Sequence, residues 1–260
     1  MTEMTEGNWC ADQMAKTQIV VIAGGRAKRM GTDIPKCLLE ISGKKLIDIC
    51  IESLTKEGFS DFVFLLGHKH EMVTDHIGNG SRYGIKAKFS VDPPTVLGWG
   101  KGKAFKYALT TEKIDSSRRS IVVFPDDLIL EDRIFSKFLM SHVQACRKHG
   151  ISASTLLVPG TYYPYAVADV DGDGVVKKFI EKPFLNEPTS VGVYIFESEV
   201  YNVIHDLIGL DDPTPVDLES TIMPRLVTEN KLGSLLIASD KWVPINTMKE
   251  YEQAIKVFSK

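Results

Sequence analysis

Apolar residues along the chain fall into two rhythms. Unbroken apolar runs cover 19–23 and 121–124, and another fills most of 61–67. They lack the polar alternation of a half-exposed strand and predict strands buried on both faces. Between them the period lengthens. Leu46, Ile47, Ile49, Cys50, Ser53 and Leu54 recur at helical spacing, and Gly58 stops that helix. Further helices are predicted from near Lys69, through Phe105, Ala108 and Leu109, and over 134–146, with a short strand at 86–91.

Beyond residue 150 the rhythm changes. Short alternating segments at 153–158, 165–170, 175–179 and 190–196 read as strands and turns, followed by a helix at 217–227 that Pro224 kinks or breaks. Strands at 234–238 and 241–245 and a helix at 247–258 complete the pattern. Residues 1–16 are polar and aperiodic, with Trp9 as their large anchor, and predict a frayed, flexible extension. This order predicts an α/β fold: a three-layer α/β/α sandwich around a mostly parallel, Rossmann-like sheet, with a β-rich insertion at 151–196. A single domain over 17–260 then divides into a first half, 17–150, and a second, 151–260.

Composition narrows the function classes. The chain has 260 residues, 43% hydrophobic and 25% charged, as in ordinary globular proteins. A net charge of -3 argues against general nucleic-acid binding. No stretch has the length and apolarity of a membrane span, and residues 1–16 lack the basic-then-apolar pattern of a secretory signal, so the expected compartment is cytoplasmic. Cys10, Cys37, Cys50 and Cys146 lie far apart without Cys-x-x-Cys and read as free thiols, with Cys50 and Cys146 among apolar helical positions. A homo-oligomer is compatible with the sequence.

Candidate chemistry gathers where strands end. The strand at 19–23 runs into Gly24-Gly25, then Arg26, Lys28, Arg29 and, past Pro35, Lys36. Glycines let backbone N–H groups approach an anion and the cations neutralise it, although neither a P-loop nor Gly-x-Gly-x-x-Gly is spelled. A glycine-rich turn without a ligand is the other reading. The segment 98–104, with Gly100, Lys101, Gly102 and Lys103 at a helix start, is a second place for an anion or a flat base, or else a linker. Asp126 and Asp127 stand at the tip of the strand 121–124, where open α/β sheets bind ligands and carboxylates hold Mg²⁺. Asp127 or Asp132 could instead cap the following helix.

Two other patterns lead elsewhere. His68, His70 and His76 lack partner carboxylates or cysteines at ligand spacing and read as solvent-facing. Asp169, Asp171 and Asp173 suggest an EF-hand loop, but Ile180 occupies the position of its bidentate Glu. A hairpin turn with Gly172 and Gly174 at φ > 0 is expected there.

Taken together the segments resemble the nucleotidyltransferases that join a nucleoside triphosphate to a sugar 1-phosphate, the enzymes of the nucleotide-diphospho-sugar transferase fold. The resemblance rests on Ala23-Gly24-Gly25 with Arg29-Met30, then Pro35-Lys36, Leu38 to Ile41 and Gly43-Lys44. It continues through Gly100-x-Gly102-x-Ala104, Pro125-Asp126-Asp127, Glu181-Lys182-Pro183, Gly192-x-Tyr194-x-Phe196 and the ending around Trp242 to Tyr251. It implies that Ala23, Gly24, Gly25, Gly100 and Gly102 bind the nucleotide, that Arg29 and Lys36 hold the triphosphate, and that Asp126 holds Mg²⁺. It implies further that Glu181 binds sugar hydroxyls, Lys182 the sugar phosphate, and that Gly192 leaves room for the ring.

Two departures stand out. Ala27 replaces the usual third glycine, and Pro244 replaces the Asp that supplies a second metal carboxylate, leaving Asn246, or less aptly Asp240, as substitute. The motifs resemble most the branch acting on UTP and glucose 1-phosphate. GTP with mannose 1-phosphate and dTTP with glucose 1-phosphate stay open, as does a non-catalytic, nucleotide-sugar-binding regulatory subunit motivated by Pro244. A nicotinamide oxidoreductase fits poorly, because the first loop lacks its glycine spacing.

Overall fold

The computed structural model describes residues 6–25, 31, 33–93, 99–212 and 214–258. In order the chain forms α1 (Glu6–Ala15), β1 (Thr17–Ile22), β2 (Glu40–Ile41), β3 (Lys44–Lys45), α2 (Leu46–Thr55), β4 (Asp61–Leu66), α3 (His70–Ile77) and β5 (Lys86–Val91). Next come α4 (Gly100–Thr110), β6 (Arg119–Val123), β7 (Asp127–Ile129), α5 (Ile134–His149), β8 (Ala153–Val158), β9 (Thr161–Tyr162), β10 (Val167–Val170), β11 (Val176–Ile180) and β12 (Phe184–Leu185). The chain closes with β13 (Thr189–Phe196), α6 (Val200–Leu207), α7 (Leu218–Thr228), β14 (Leu232–Leu236), β15 (Trp242–Pro244) and α8 (Met248–Phe258).

The fully apolar runs became the middle of the sheet for the reason their pattern gave. Seven strands lie in the order β14-β8-β13-β6-β1-β4-β5. β6-β1-β4-β5 and β14-β8 pair in parallel, and β13 runs antiparallel to both its neighbours. Ile19 and Val21 of β1 face a core built with α2 and α5, through Ile47, Ile51, Phe135 and Phe138. Val20 and Ile22 face the other core, with Phe105 of α4, Ile204 of α6 and Ile222 of α7. Ile19, Val20 and Val21 are wholly buried, and each side chain so placed stabilises the fold by roughly 1.5–3 kcal/mol. The result is the expected three-layer α/β/α sandwich around a mostly parallel sheet.

Several local expectations need correction. Residues 6–15 form α1 in place of the expected frayed extension: Trp9 and Met14 pack on the core, and the Arg147 guanidinium lies 5.2 Å from the Trp9 ring centre. Gln13, a buried polar residue of α1 that accepts a hydrogen bond from Arg119, breaks the apolar pattern by which a helix is recognised. His76 is not solvent-facing; its Nε2 sits 2.7 Å from Asp48 Oδ1 in a half-buried contact, and His68 meets Asp33. Neither Asp127 nor Asp132 caps α5, since Glu57 accepts from the backbone N–H groups of Phe135 and Ser136. The hairpin expected at 165–179 forms as β10–β11, and only its glycine geometry differs, with φ > 0 at Gly174 but not at Gly172. Helix α7 continues through Pro224 to Thr228. Among the described residues no helix is long and apolar enough to cross a membrane.

Candidate active site

The parallel strands β1, β4, β5 and β6 all end on one edge of the sheet, and a cleft of about 240 Å³ opens there. Gly24 is needed because the chain is crowded: a Cβ on it would stand 3.1 Å from the backbone nitrogen of Gly67, at the end of β4. Among the described residues nothing would lie within 4 Å of a Cβ on Gly25, which lines the cleft with Ala23. The Ala23 N–H is taken up by the Leu65 carbonyl at 2.9 Å. Arg26, Ala27, Lys28 and Arg29 lie outside the described residues, and with them the predicted role of Arg29.

Lys36 returns to this edge at the start of a short 3₁₀ turn, Lys36–Leu38. Its ammonium donates to Asp126 Oδ2 and, at 3.0 Å, to Asn246 Oδ1. Three predicted site residues from three distant segments therefore converge on one point. The convergence has a backbone cause. After β6 the chain turns through Pro125 into β7, and β15 pairs antiparallel with β7, placing Pro244 opposite Asp127. The Ile245 N–H donates to the Asp126 carbonyl at 2.9 Å, so Asn246 is fixed beside that carboxylate.

Asp127 is the second acid of the cleft. Trp242 Nε1 donates to its Oδ1 at 3.0 Å. Burial, and then the neighbouring Asp126 charge, push its carboxyl up to about 7. Gly192, in the left-handed region at φ +76°, makes room for it: a Cβ there would lie 2.8 Å from Asp127 Oδ2. The Cys37 thiol, also on the cleft, is pushed up to about 12 by burial and is no nucleophile at neutral pH.

The cleft is also lined by Lys101, which the sequence reading named only as part of its glycine-rich segment, and by Glu219, which it did not name. Lys101, within the glycine-rich segment, pairs with Glu219 Oε1 at 2.5 Å and lies 5.0 Å from the Phe124 ring centre. Glu219 Oε1 also accepts from the Tyr194 hydroxyl at 3.2 Å, while its Oε2 is buried without a hydrogen-bond partner. The signal for Lys101 was present in Gly100-Lys101-Gly102. Glu219, in the first turn of a helix, carried none.

Other predicted residues sit elsewhere. Gly100 and Gly102 do not line the cleft; Cβ atoms on them would meet the Val216 backbone at 2.5 and 2.9 Å, and the Gly102 N–H donates to the Val216 carbonyl. Glu181 and Lys182 follow β11, pair with each other at 3.1 Å with more than half of each side chain exposed, and are not on the cleft wall.

The donor set fits a hard divalent cation. Asp126 Oδ2 and Asn246 Oδ1 already converge on one positive centre, the Lys36 ammonium, and both are oxygen ligands of the kind Mg²⁺ takes.

Comparison with known proteins shows the family. The family model described as "Nucleotidyl transferase" matches residues 18–259. The chain is 27% identical over 250 residues to a UTP–glucose-1-phosphate uridylyltransferase of Synechocystis, covering 91% of this chain and 62% of the relative. It is 25% identical over 238 residues to mannose-1-phosphate guanyltransferase 2 of Candida glabrata, covering 89% and 62%. The chain thus spans about three fifths of the length of these relatives. In fold it is similar to the crystal structure of HddC from Yersinia pseudotuberculosis, with a TM-score of 0.65 at 20% identity over 93% of this chain and 99% of that one.

Proposed function

Because the chain belongs to the nucleotidyl transferase family, we propose that it joins a nucleoside triphosphate to a hexose 1-phosphate, releasing pyrophosphate and a nucleotide-sugar. The observation that carries this reading is the meeting of Lys36, Asp126 and Asn246 at the strand tips, beside the glycine turn that follows β1.

In such a transfer a phosphate oxygen of the sugar attacks the α-phosphorus, a new P–O bond forms, and the α–β bridging bond breaks. No proton need move, so catalysis is positioning plus charge. Lys36, and Arg29 from the first loop, hold the triphosphate and the departing pyrophosphate. Gly25, exposed on the cleft, brings bare backbone to the same anion. Asp126 and Asn246 hold Mg²⁺, which when bound supplies positive charge to the phosphates. Asn246 fills in for the carboxylate that Pro244 cannot offer. Lys101 and Glu219 line the far wall, where Glu219 Oε2 still lacks a partner and suits a hydroxyl donor. Lys182 and Glu181, on their exposed loop, are assigned to the sugar phosphate by family resemblance.

UTP with glucose 1-phosphate is the leading pair. It is supported by Pro125-Asp126-Asp127 and by the named activity of the Synechocystis relative. GTP with mannose 1-phosphate is the pair named for the Candida relative. Pro244 motivates a second reading, a subunit that binds nucleotide-sugar without turnover.

One experiment separates them: pyrophosphate release with Mg²⁺ across four nucleoside triphosphates and glucose, mannose, galactose and N-acetylglucosamine 1-phosphates. Turnover of one pair, lost in Asp126→Ala, identifies the enzyme and its substrates. Folded protein that binds nucleotide yet releases no pyrophosphate in any well overturns the enzyme reading for these sugars.

A further inference from the structure

Gly100 and Gly102 do not line the cleft, yet they decide which side chain of their segment does. Cβ atoms on them would meet the Val216 carbonyl oxygen at 2.5 and 2.9 Å. Bare glycine therefore lets the start of α4 lie against the chain just ahead of α7. The Val216 N–H donates to the Trp99 carbonyl at 2.9 Å and the Gly102 N–H to the Val216 carbonyl at 2.8 Å. The Lys101 N–H donates to Asp217 Oδ1 at 3.2 Å. The first turns of α4 and α7 are stitched together, and Lys101 and Glu219 enter the cleft side by side.

The Lys101 ammonium is held in place but not used up. It donates to Glu219 Oε1 at 2.5 Å, and the Tyr194 hydroxyl donates to the same oxygen at 3.2 Å. The Phe124 ring centre lies 5.0 Å away. An ammonium carries three N–H donors, and Glu219 is the one acceptor it reaches among the described residues. Its side chain is 36% exposed on the cleft, so donors are left for an anion. Lys36, the other lysine lining the cleft among the described residues, lies with Asp126 and Asn246. Lys101 lies by Phe124, whose Cδ2 is 3.2 Å from where a Cβ on Gly192 would stand. Lys182 pairs with Glu181 away from the cleft wall, with more than half of its side chain exposed.

The transfer proposed above brings together two anions, a triphosphate and the phosphate of a sugar, and like charges at bonding distance repel. Lys36 serves the first, and the second needs a cation of its own. We propose that Lys101 binds the phosphate of the sugar 1-phosphate beside Gly192, and that Glu219 is the residue that positions the Lys101 ammonium. This inference rests on the transfer reading. Lys101 keeps its proton throughout, because the bond that forms and the bond that breaks are both at the α-phosphorus. From the wall of the cleft it takes a role that resemblance alone gives to Lys182.

The test is steady-state pyrophosphate release by the full chain, with the substrate pair that it turns over and each substrate varied in turn. Lys101→Met should raise the KM for the sugar phosphate by about tenfold or more, the worth of one charge-assisted hydrogen bond, and move the KM for the triphosphate by less than about twofold. Lys101→Arg, which keeps the charge, should recover part of that loss. Glu219→Gln should raise the same KM by less than Lys101→Met does. Where Lys101→Met does not fold, Lys101→Gln carries the same comparison. A role confined to structure would lower the thermal midpoint and kcat while the two KM values stay together, and that result overturns the proposal. So does a sugar-phosphate KM that rises in Lys182→Met and not in Lys101→Met. No pyrophosphate from the unmodified chain with any pair is a different outcome: the transfer reading itself then fails, and this inference with it.

Discussion

Lys36 and Asp126, 90 positions apart in the chain, meet in a salt bridge whose ammonium also donates to Asn246 Oδ1 at 3.0 Å. One cation is thus shared by two oxygens from different segments, and the same oxygens are those assigned to Mg²⁺. Mg²⁺ bound there would compete with the Lys36 ammonium for them and would leave Lys36 to the phosphates.

Asp126→Ala should lower kcat by about 10²-fold or more, and chelation of Mg²⁺ should stop turnover outright. Asn246→Ala should leave turnover measurable but raise the half-saturating Mg²⁺ concentration by about tenfold. Pyrophosphate release against Mg²⁺ concentration reads both. An unchanged Mg²⁺ requirement in Asn246→Ala would remove it from the metal site.

Gly192→Ala introduces a methyl 2.8 Å from Asp127 Oδ2 at φ +76°. The backbone strain costs about 1–3 kcal/mol, and relief of the clash moves Asp127. Denaturant unfolding should show the lost stability, with a fall in transfer rate alongside it. Gly25→Ala, where a Cβ meets nothing within 4 Å, is the control and should leave stability nearly untouched.

Lys101→Met strips the cation from Glu219, one of whose oxygens is buried without a partner. Both side chains are about a third exposed, so solvent screens the pair. A loss of about 1 kcal/mol is expected. Adding Glu219→Gln should recover part of it, and a double-mutant cycle in thermal unfolding measures the coupling.

Asp92, at the end of β5, has its carboxyl pushed up to about 6 by burial. The folded chain therefore holds this proton up to a higher pH than the unfolded chain, whose ordinary value is 3.8. Its contribution to stability is fully present below pH 4, declines as pH rises from 4 to 6, and is level above that. Asp92→Asn should match the unmodified chain at pH 4 and be more stable at pH 7. Unfolding midpoints across this range that stay parallel would refute the assignment.

Legibility followed burial. Ile19–Val21 and the apolar run 121–124 could be placed from their lettering alone, because a strand covered on both faces leaves no polar position to confuse the period. Asp126 could be placed at a strand tip in the same way, whereas Lys36 was read from the cation-rich stretch after β1 and its Pro35-Lys36 motif. Helix α1 was not, because the buried Gln13 interrupts its apolar side. Gly100 and Gly102 were read as ligand contacts, whereas their bare backbones accommodate Val216, a partner more than a hundred residues away. Glu219 meets Lys101 across 118 positions, and no local pattern encodes such a pairing. His76 looked idle for the same reason: its partner, Asp48, lies on another helix.

The strand β15 and the residues after it hold the site shut: Trp242 fixes Asp127, Ile245 fixes the Asp126 backbone, and Asn246 reaches Lys36. On a ribosome these segments emerge after all seven strands of the sheet, β14 being the last of those to precede them. A nascent chain thus owns every strand of its sheet before it has the residues that complete the cleft, and substrate capture waits on β15 rather than on the sheet.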